Sequence, residues 1–134
     1  MQIGIADFAN SPAYAKRAKD FGITVIPRNK IHKSTINQII KDAIAIAGDN
    51  VYVDIDVDVC DRAVAPACPA SVPGGITANQ LRLIAREVAK CKQVKAIDFT
   101  EVDSSKDTED QRTVRLVALC LLEIAAGRLR QNNA

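Results

Sequence analysis

An α/β fold of three layers around a mostly parallel sheet is predicted by two regularities of this sequence. Short β-branched apolar runs alternate with longer segments of helical period, and the helical segments are bracketed by capping and stop residues. The order read along the chain is β-α-β-α-β-loop-α-β-α. A length of 134 residues matches one domain, since domains most often run roughly 100 to 150 residues, and residues 1–134 are read as a single unit.

The first strand is expected near residues 3–6. A helix follows, with Ser11 as N-cap, Pro12 at the first helical position, Tyr14, Ala18 and Phe21 along one face, and Gly22 at its end. Residues 23–26 read as a short strand stopped by Pro27. Ser34 is placed to cap a second helix whose inner face is Ile36, Ile39, Ile40, Ala43, Ile44 and Ala47, closed by Gly48.

The third strand spans residues 51–59. The loop after it, residues 60–75, is too long for an ordinary connection, and loops of that length at a strand end tend to carry function. Thr77 with Gln80 has the spacing of a capping box opening a third helix through Leu81, Ile84, Val88 and Ala89, and residues 94–99 form the fourth strand. Thr108 with Gln111 repeats that spacing before a last helix over residues 114–126. This helix is apolar on more of its circumference than one sheet face needs, which calls for a further covering surface from a neighbouring subunit or another part of the same fold.

Composition excludes several classes of function. The formal charge is +2 with acids and bases interspersed, which leaves no electrostatic footprint for nucleic acid or an anionic membrane. No apolar run approaches the roughly 18 residues a span requires. The opening residues have neither a basic region nor a cleavage site, so a soluble cytoplasmic protein is expected. Cys60, Cys68, Cys91 and Cys120 lack CxxC spacing, and His32 is the one histidine; the thiols are read as reduced and without a metal role, and His32 as a surface or capping residue.

Chemistry concentrates in the third strand. Strict alternation puts Tyr52, Asp54, Asp56 and Asp58 on one face and the valines with Ile55 on the other. Aspartates at i and i+2 stand only roughly 6.6 Å apart along a strand and repel unless cations or solvent intervene. One reading is an edge strand with a solvated acidic face. The other rests on the β-α-β context, in which ligands bind beyond the carboxyl ends of the strands. Oxygen-only ligands there favour magnesium or manganese, and adjacent aspartates suit a dinuclear centre that activates a water. Glu101, just past the fourth strand, emerges at the same rim if the strands are parallel, as a candidate for a cationic substrate group or as a solvated loop acid.

The run Asp54-Ile55-Asp56-Val57-Asp58, then Asp61 to Ala67, then Pro73-Gly74-Gly75-Ile76, resembles a signature of the ureohydrolase family of arginases, agmatinases and formimidoylglutamases, with Asp56, Asp58, Pro66, Ala67 and Gly75 in register. The segment from Ala96 to Val102 resembles that family's strand ending in a substrate-facing glutamate, and the closing helix ending in Gly127 also fits. Asp54 stands where the family usually has serine, and Arg62 where it often has proline or a small residue; the details lean towards formimidoylglutamase-like or agmatinase-like members.

The resemblance implies an arginase-like fold with the N-terminal half absent, so that the chain is the C-terminal portion of a ureohydrolase domain. It implies two Mn2+ ions bridged by Asp56, with Asp58 on one of them and Glu101 holding the guanidino or formimino group of a small substrate. The implied reaction is manganese-dependent hydrolysis of a C–N bond in a linear amidine such as formimidoylglutamate, agmatine or arginine. The family's Gly-Gly-Asp-His and Asp-Ala-His-x-Asp segments do not occur in the sequence, so the chain by itself is expected to lack a tight dinuclear centre and to be inactive unless a homo-oligomer or a complementary chain completes it. Two other functions compete: a non-catalytic assembly or binding module acting through the last helix, and a magnesium-dependent receiver-like phosphotransfer domain drawing on Asp7, Thr100 and Lys106.

Overall fold

The computed structural model describes residues 1–33 and 35–132. Strands β1 (Gln2–Ile5) and β2 (Val25–Pro27) pair in parallel, Gln2 opposite Val25 and Ile3 opposite Ile26. Helix α1 (Pro12–Asp20) connects them, and the Oγ of its N-cap Ser11 accepts the Tyr14 N–H at 3.3 Å. Gly22, at φ +69°, lets the chain reverse so that the Ile23 N–H reaches the Ala18 carbonyl at 2.9 Å. The face of α1 that carries Tyr14 and Ala18, continued by Phe21, is not covered. None of its residues is buried, and Tyr14 and Phe21 are 65% and 73% exposed, because the short β1–β2 pair offers it little surface.

A further helix, α2 (Arg28–Lys33), follows Pro27 directly and had no signal in the sequence. It docks through Ile31, which is buried, and through the Arg28 Nε, which donates to the Gly4 carbonyl at 3.3 Å. His32 lies on this helix, and its side chain is outside the described residues. Ser34, expected as a cap, also lies outside them. Helix α3 (Ile36–Ala47) is capped instead by Thr35, whose Oγ1 accepts the Gln38 N–H at 3.4 Å. Its predicted face buries Ile36, Ile39 and Ile40 and fades towards the exposed Ala47.

Strands β3 (Val51–Asp56) and β4 (Val94–Thr100) form a second parallel pair, joined through a long loop and helix α4 (Ala78–Ala89). The parallel pairing agrees with the alternation of elements; among the described residues the four strands make two separate two-stranded sheets. The capping box opening α4 is complete, with the Gln80 N–H on Thr77 Oγ1 at 3.2 Å and the Thr77 N–H on Gln80 Oε1 at 2.9 Å.

Helix α5 (Arg112–Asn132) begins earlier and ends later than its apolar core indicates. The second capping box does not form in the expected way. Gln111 takes φ +52°, the Arg112 N–H that opens α5 reaches Thr108 Oγ1 only at 3.5 Å, and the next two amides go to the carboxylate of Asp107, from Thr113 N–H at 3.2 Å and Val114 N–H at 3.0 Å. Gly127 is an interior residue of α5 rather than its end. A Cβ there would lie 2.5 Å from the Arg86 carbonyl oxygen, so glycine is what lets α4 and α5 approach. The same two helices are tied by Glu123, almost fully buried, between Arg82 Nη2 at 2.6 Å and Arg86 Nη2 at 2.5 Å.

The main core joins Ile55 and Val57 to Cys60, Ala65, Cys68 and Ile76 of the loop and to Leu81, Ala85, Leu116 and Cys120 of the helices. Val53, Ile97 and Phe99 pack against it, so the apolar face of the β3–β4 pair is the helix-covered one. A smaller cluster of Ile36, Ile40 and Val88 fixes α3 on α4. Leu119, Leu121, Leu122 and Leu129 of α5 stay exposed, the uncovered apolar surface that its sequence pattern anticipates.

Candidate metal and substrate site

The other face of the β3–β4 pair carries the acidic residues. In the parallel register Asp54 lies opposite Asp98 and Asp56 opposite Thr100. The Thr100 hydroxyl donates to Asp54 Oδ1 at 2.8 Å, and the Tyr52 hydroxyl donates to Asp98 Oδ2. That bond to the Asp98 carboxylate, helped by partial burial, raises the Tyr52 pKa above its ordinary value. Asp98 Oδ1 is buried without a hydrogen-bond partner among the described residues.

The alternation read from the sequence ends earlier than expected. β3 stops at Asp56, and Val57–Val59 form a 3-10 turn, so Asp54 and Asp56 share a strand face whereas Asp58 does not. The cause is local: Asp56 Oδ1 accepts the Asp58 N–H at 3.2 Å, and a side chain bonding the backbone two residues on competes with the strand. Partial desolvation raises the Asp56 pKa; the Asp58 N–H opposes this, while the charges of Asp58 and Asp54 add to it. A carboxylate disfavoured as an anion by its neighbours is one that a cation stabilises.

Glu101 follows β4 immediately and, since Thr100 pairs with Asp56, emerges at the rim where β3 delivers Asp56 and Asp58. It is exposed and holds φ +63°, a left-handed conformation that costs a non-glycine residue energy and persists only where flanking structure imposes it. Asp56, Asp58, Asp107 and Glu101 all act on the thiol of Cys68, whose pKa is pushed up to about 11 mainly by burial.

The long loop is built on two hubs. Asp61 accepts the Ala63 and Gly74 N–H groups, each at 2.8 Å, which hold its carboxyl below the usual range. Arg62 donates to the carbonyls of Cys68 at 2.7 Å and Pro69 at 3.3 Å and to Ser71 Oγ at 3.3 Å. A parallel bridge between Cys60 and Ile76 closes the loop, and Gly75 fits there because a Cβ would stand 2.1 Å from the Asp61 nitrogen. The sequence reading missed these roles. Asp61, an aspartate opening a loop two residues before a free amide, carried a readable turn signal; Arg62 carried none.

Two carboxylates suit a hard divalent cation in the chemistry of their donors. They do not complete a coordination shell, and the described residues contain no group of three His, Cys, Asp or Glu side chains placed to hold a metal. No helix among them is long and apolar enough to cross a membrane.

Parallel β-α-β connectivity makes this an α/β protein, with the carboxylates of Asp56, Asp58 and Glu101 at or just past the carboxyl ends of its strands, where open α/β sheets in general bind ligands. The arginase family model matches residues 1–127, and this chain belongs to the arginase family. It is 34% identical over 131 residues to the formimidoylglutamase of Halalkalibacterium halodurans, covering 96% of this chain and 41% of that protein. It is 32% identical over 130 residues to the formimidoylglutamase of Bacillus subtilis, covering 95% and 40%. The crystal structure of the latter superposes with a TM-score of 0.86 over 94% of this chain and 40% of that one. A structure of Trypanosoma cruzi formiminoglutamase with Mn2+ shares the fold, with a TM-score of 0.78, 21% identity and coverage of 87% and 39%. The chain therefore spans about 40% of the length of the curated relatives it matches. Family membership displaces the receiver-like reading, and Thr100, which that reading would use, is engaged with Asp54.

Proposed function

We propose that this chain supplies the C-terminal part of a manganese-dependent amidine-hydrolysing site, with a formimino compound such as formimidoylglutamate as substrate in preference to agmatine or arginine. The observation that carries it is the convergence of Asp56, Asp58 and Glu101 at one rim of the β3–β4 pair, with Asp56 opposite Thr100. Asp56 and Asp58 would hold the cation. When bound, such an ion lowers the pKa of a water molecule and so supplies a nucleophile at neutral pH.

The rest falls to the chain's own groups. The Glu101 carboxylate, carried on a backbone held in the left-handed conformation, accepts N–H bonds from the cationic amidine and turns its carbon towards the aspartates. Water adds to that carbon, the bond to the substituted nitrogen breaks and that nitrogen takes a proton from the added water and leaves as the amine, giving formamide from a formimino substrate or urea from a guanidino one. The chain spans 40% of that relative's length, so the remaining ligands would come from a complementary chain carrying the rest of the fold or, failing that, from carboxylates of a neighbouring copy in a homo-oligomer. The cytoplasm, with its reduced thiols, suits the four free cysteines.

The test is manganese titration calorimetry on the chain and on an Asp56→Asn/Asp58→Asn double variant, with formamide, urea and ammonia release followed in the same samples. Aspartate-dependent binding supports the reading; binding that survives the double substitution removes it. A second reading, a non-catalytic assembly module, is favoured by the exposed leucines of α5, and dimerisation without any metal binding would establish it.

A further inference from the structure

Ala67 is held at both ends of its residue by elements that follow β4. Its N–H donates to Thr113 Oγ1 at 3.1 Å, and its carbonyl accepts the Asp103 N–H at 3.0 Å. Thr113 is fully buried, and its hydroxyl hydrogen goes to Asp107 Oδ1 at 3.0 Å, so the oxygen that receives Ala67 is oriented by a carboxylate. Asp107 is fixed in turn by the amides of Thr108, Thr113 and Val114. The chain of bonds runs from the loop behind Asp58 to a residue two places beyond Glu101. Glu101 is therefore pinned on one side by the ladder that pairs Thr100 with Asp56 and on the other by Ala67, and between those pins its backbone takes the left-handed conformation.

We propose that Thr113 is a positioning residue that locks the Glu101 loop to the Asp56–Asp58 loop through Ala67. The inference rests on the reading of Asp56, Asp58 and Glu101 as one site, and deepens it by naming what sets their relative position. Valine at this place keeps the shape of threonine but offers no acceptor, which leaves the buried Ala67 N–H without a partner. Serine keeps the oxygen.

The experiment uses the full 134-residue chain and its Thr113→Val and Thr113→Ser variants, with amide hydrogen exchange and Mn2+-induced line broadening read residue by residue. In Thr113→Val the Ala67 and Asp103 amides are expected to exchange about tenfold faster while those of Leu81 and Ala85 in α4 keep their rates, and Thr113→Ser to behave as the parent. Unchanged exchange at Ala67 and Asp103, acceleration of all amides together, or failure of serine to restore the parent behaviour would each overturn the proposal. The manganese arm reads the underlying site separately. Broadening at Asp56, Asp58 and Glu101 in the parent, with the Glu101-to-Asp56 ratio changed in Thr113→Val and restored in Thr113→Ser, supports both. Absence of broadening in the parent removes the metal site and, with it, the positioning role, whereas a Glu101-to-Asp56 broadening ratio unchanged in Thr113→Val removes the positioning role alone.

Discussion

Replacing Gly75 by alanine tests why a glycine closes the long loop. Its φ is not in the left-handed region, so backbone freedom is not the reason; space is. An added Cβ would stand 2.1 Å from both the Asp61 nitrogen and the Cys60 carbonyl carbon, whereas real Cβ contacts essentially never fall below 3.0 Å. One strand of the Cys60–Ile76 bridge must therefore move by about 0.9 Å, and because the obstacle is backbone, no side chain can rotate away. That shift breaks or stretches two bonds, Asp61 N–H to Ile76 O and Ile76 N–H to Val59 O, each 3.0 Å. At about 1 kcal/mol per bond, with overpacking of about 1–3 kcal/mol and a return of about 0.4–1 kcal/mol from the stiffer unfolded chain, the expected loss is about 2–5 kcal/mol. The chain has no tryptophan, so urea unfolding followed by circular dichroism is the assay. A midpoint shift equivalent to less than about 0.5 kcal/mol would refute the steric reasoning and leave the glycine unexplained.

Other outcomes follow from the same geometry. Glu101→Gly should stabilise the fold by about 1 kcal/mol by relieving its left-handed backbone, while abolishing binding of a guanidinium probe; a stability loss would contradict the strain. Desolvation raises the Asp107 pKa, but the bonds from Val114, Thr113 and Thr108 outweigh it and hold the carboxyl below its usual value. Its stabilisation is thus present above the unfolded pKa of about 4 and lost as the pH falls through the folded value, so Asp107→Asn should flatten the acid limb of a stability–pH profile. Burial pushes Cys60 to about 12 and Cys68 and Cys120 to about 11 and raises Cys91 as well, but Cys91 alone of the four is partly exposed, so a thiol reagent near pH 8 should label Cys91 first and slowly, and the other three only when the chain is unfolded.

What the sequence discloses here is what neighbours along the chain decide. The Thr77–Gln80 box, the Ser11 cap and the alternation from Val51 to Asp56 were legible because each is settled within a few residues. Asp58 was put on the strand face because the turn formed by Asp56 with its N–H competes with an equally good β pattern. Thr108 keeps only the Arg112 amide and shares the capping of α5 with Asp107, and Gly127 has the sequence look of a helix end although it is a contact with Arg86 across two helices. In the site, parallel strands made the common rim of Asp56 and Glu101 foreseeable. The bond between Ala67 and Thr113 was not, since 46 residues separate them and only the packed fold brings them together.

The bare flank of α1 bears on how the molecule opens. A helix with no buried residue, leaning on a pair of strands three and four residues long, contributes little to cooperativity, whereas β3, α4, β4 and α5 share one apolar interior closed by Glu123 and Gly127. Excursions that detach residues 1–27 should therefore be frequent and low in energy, with the rim of Asp56, Asp58 and Glu101 left standing, and the stability of the chain is graded rather than uniform along its length.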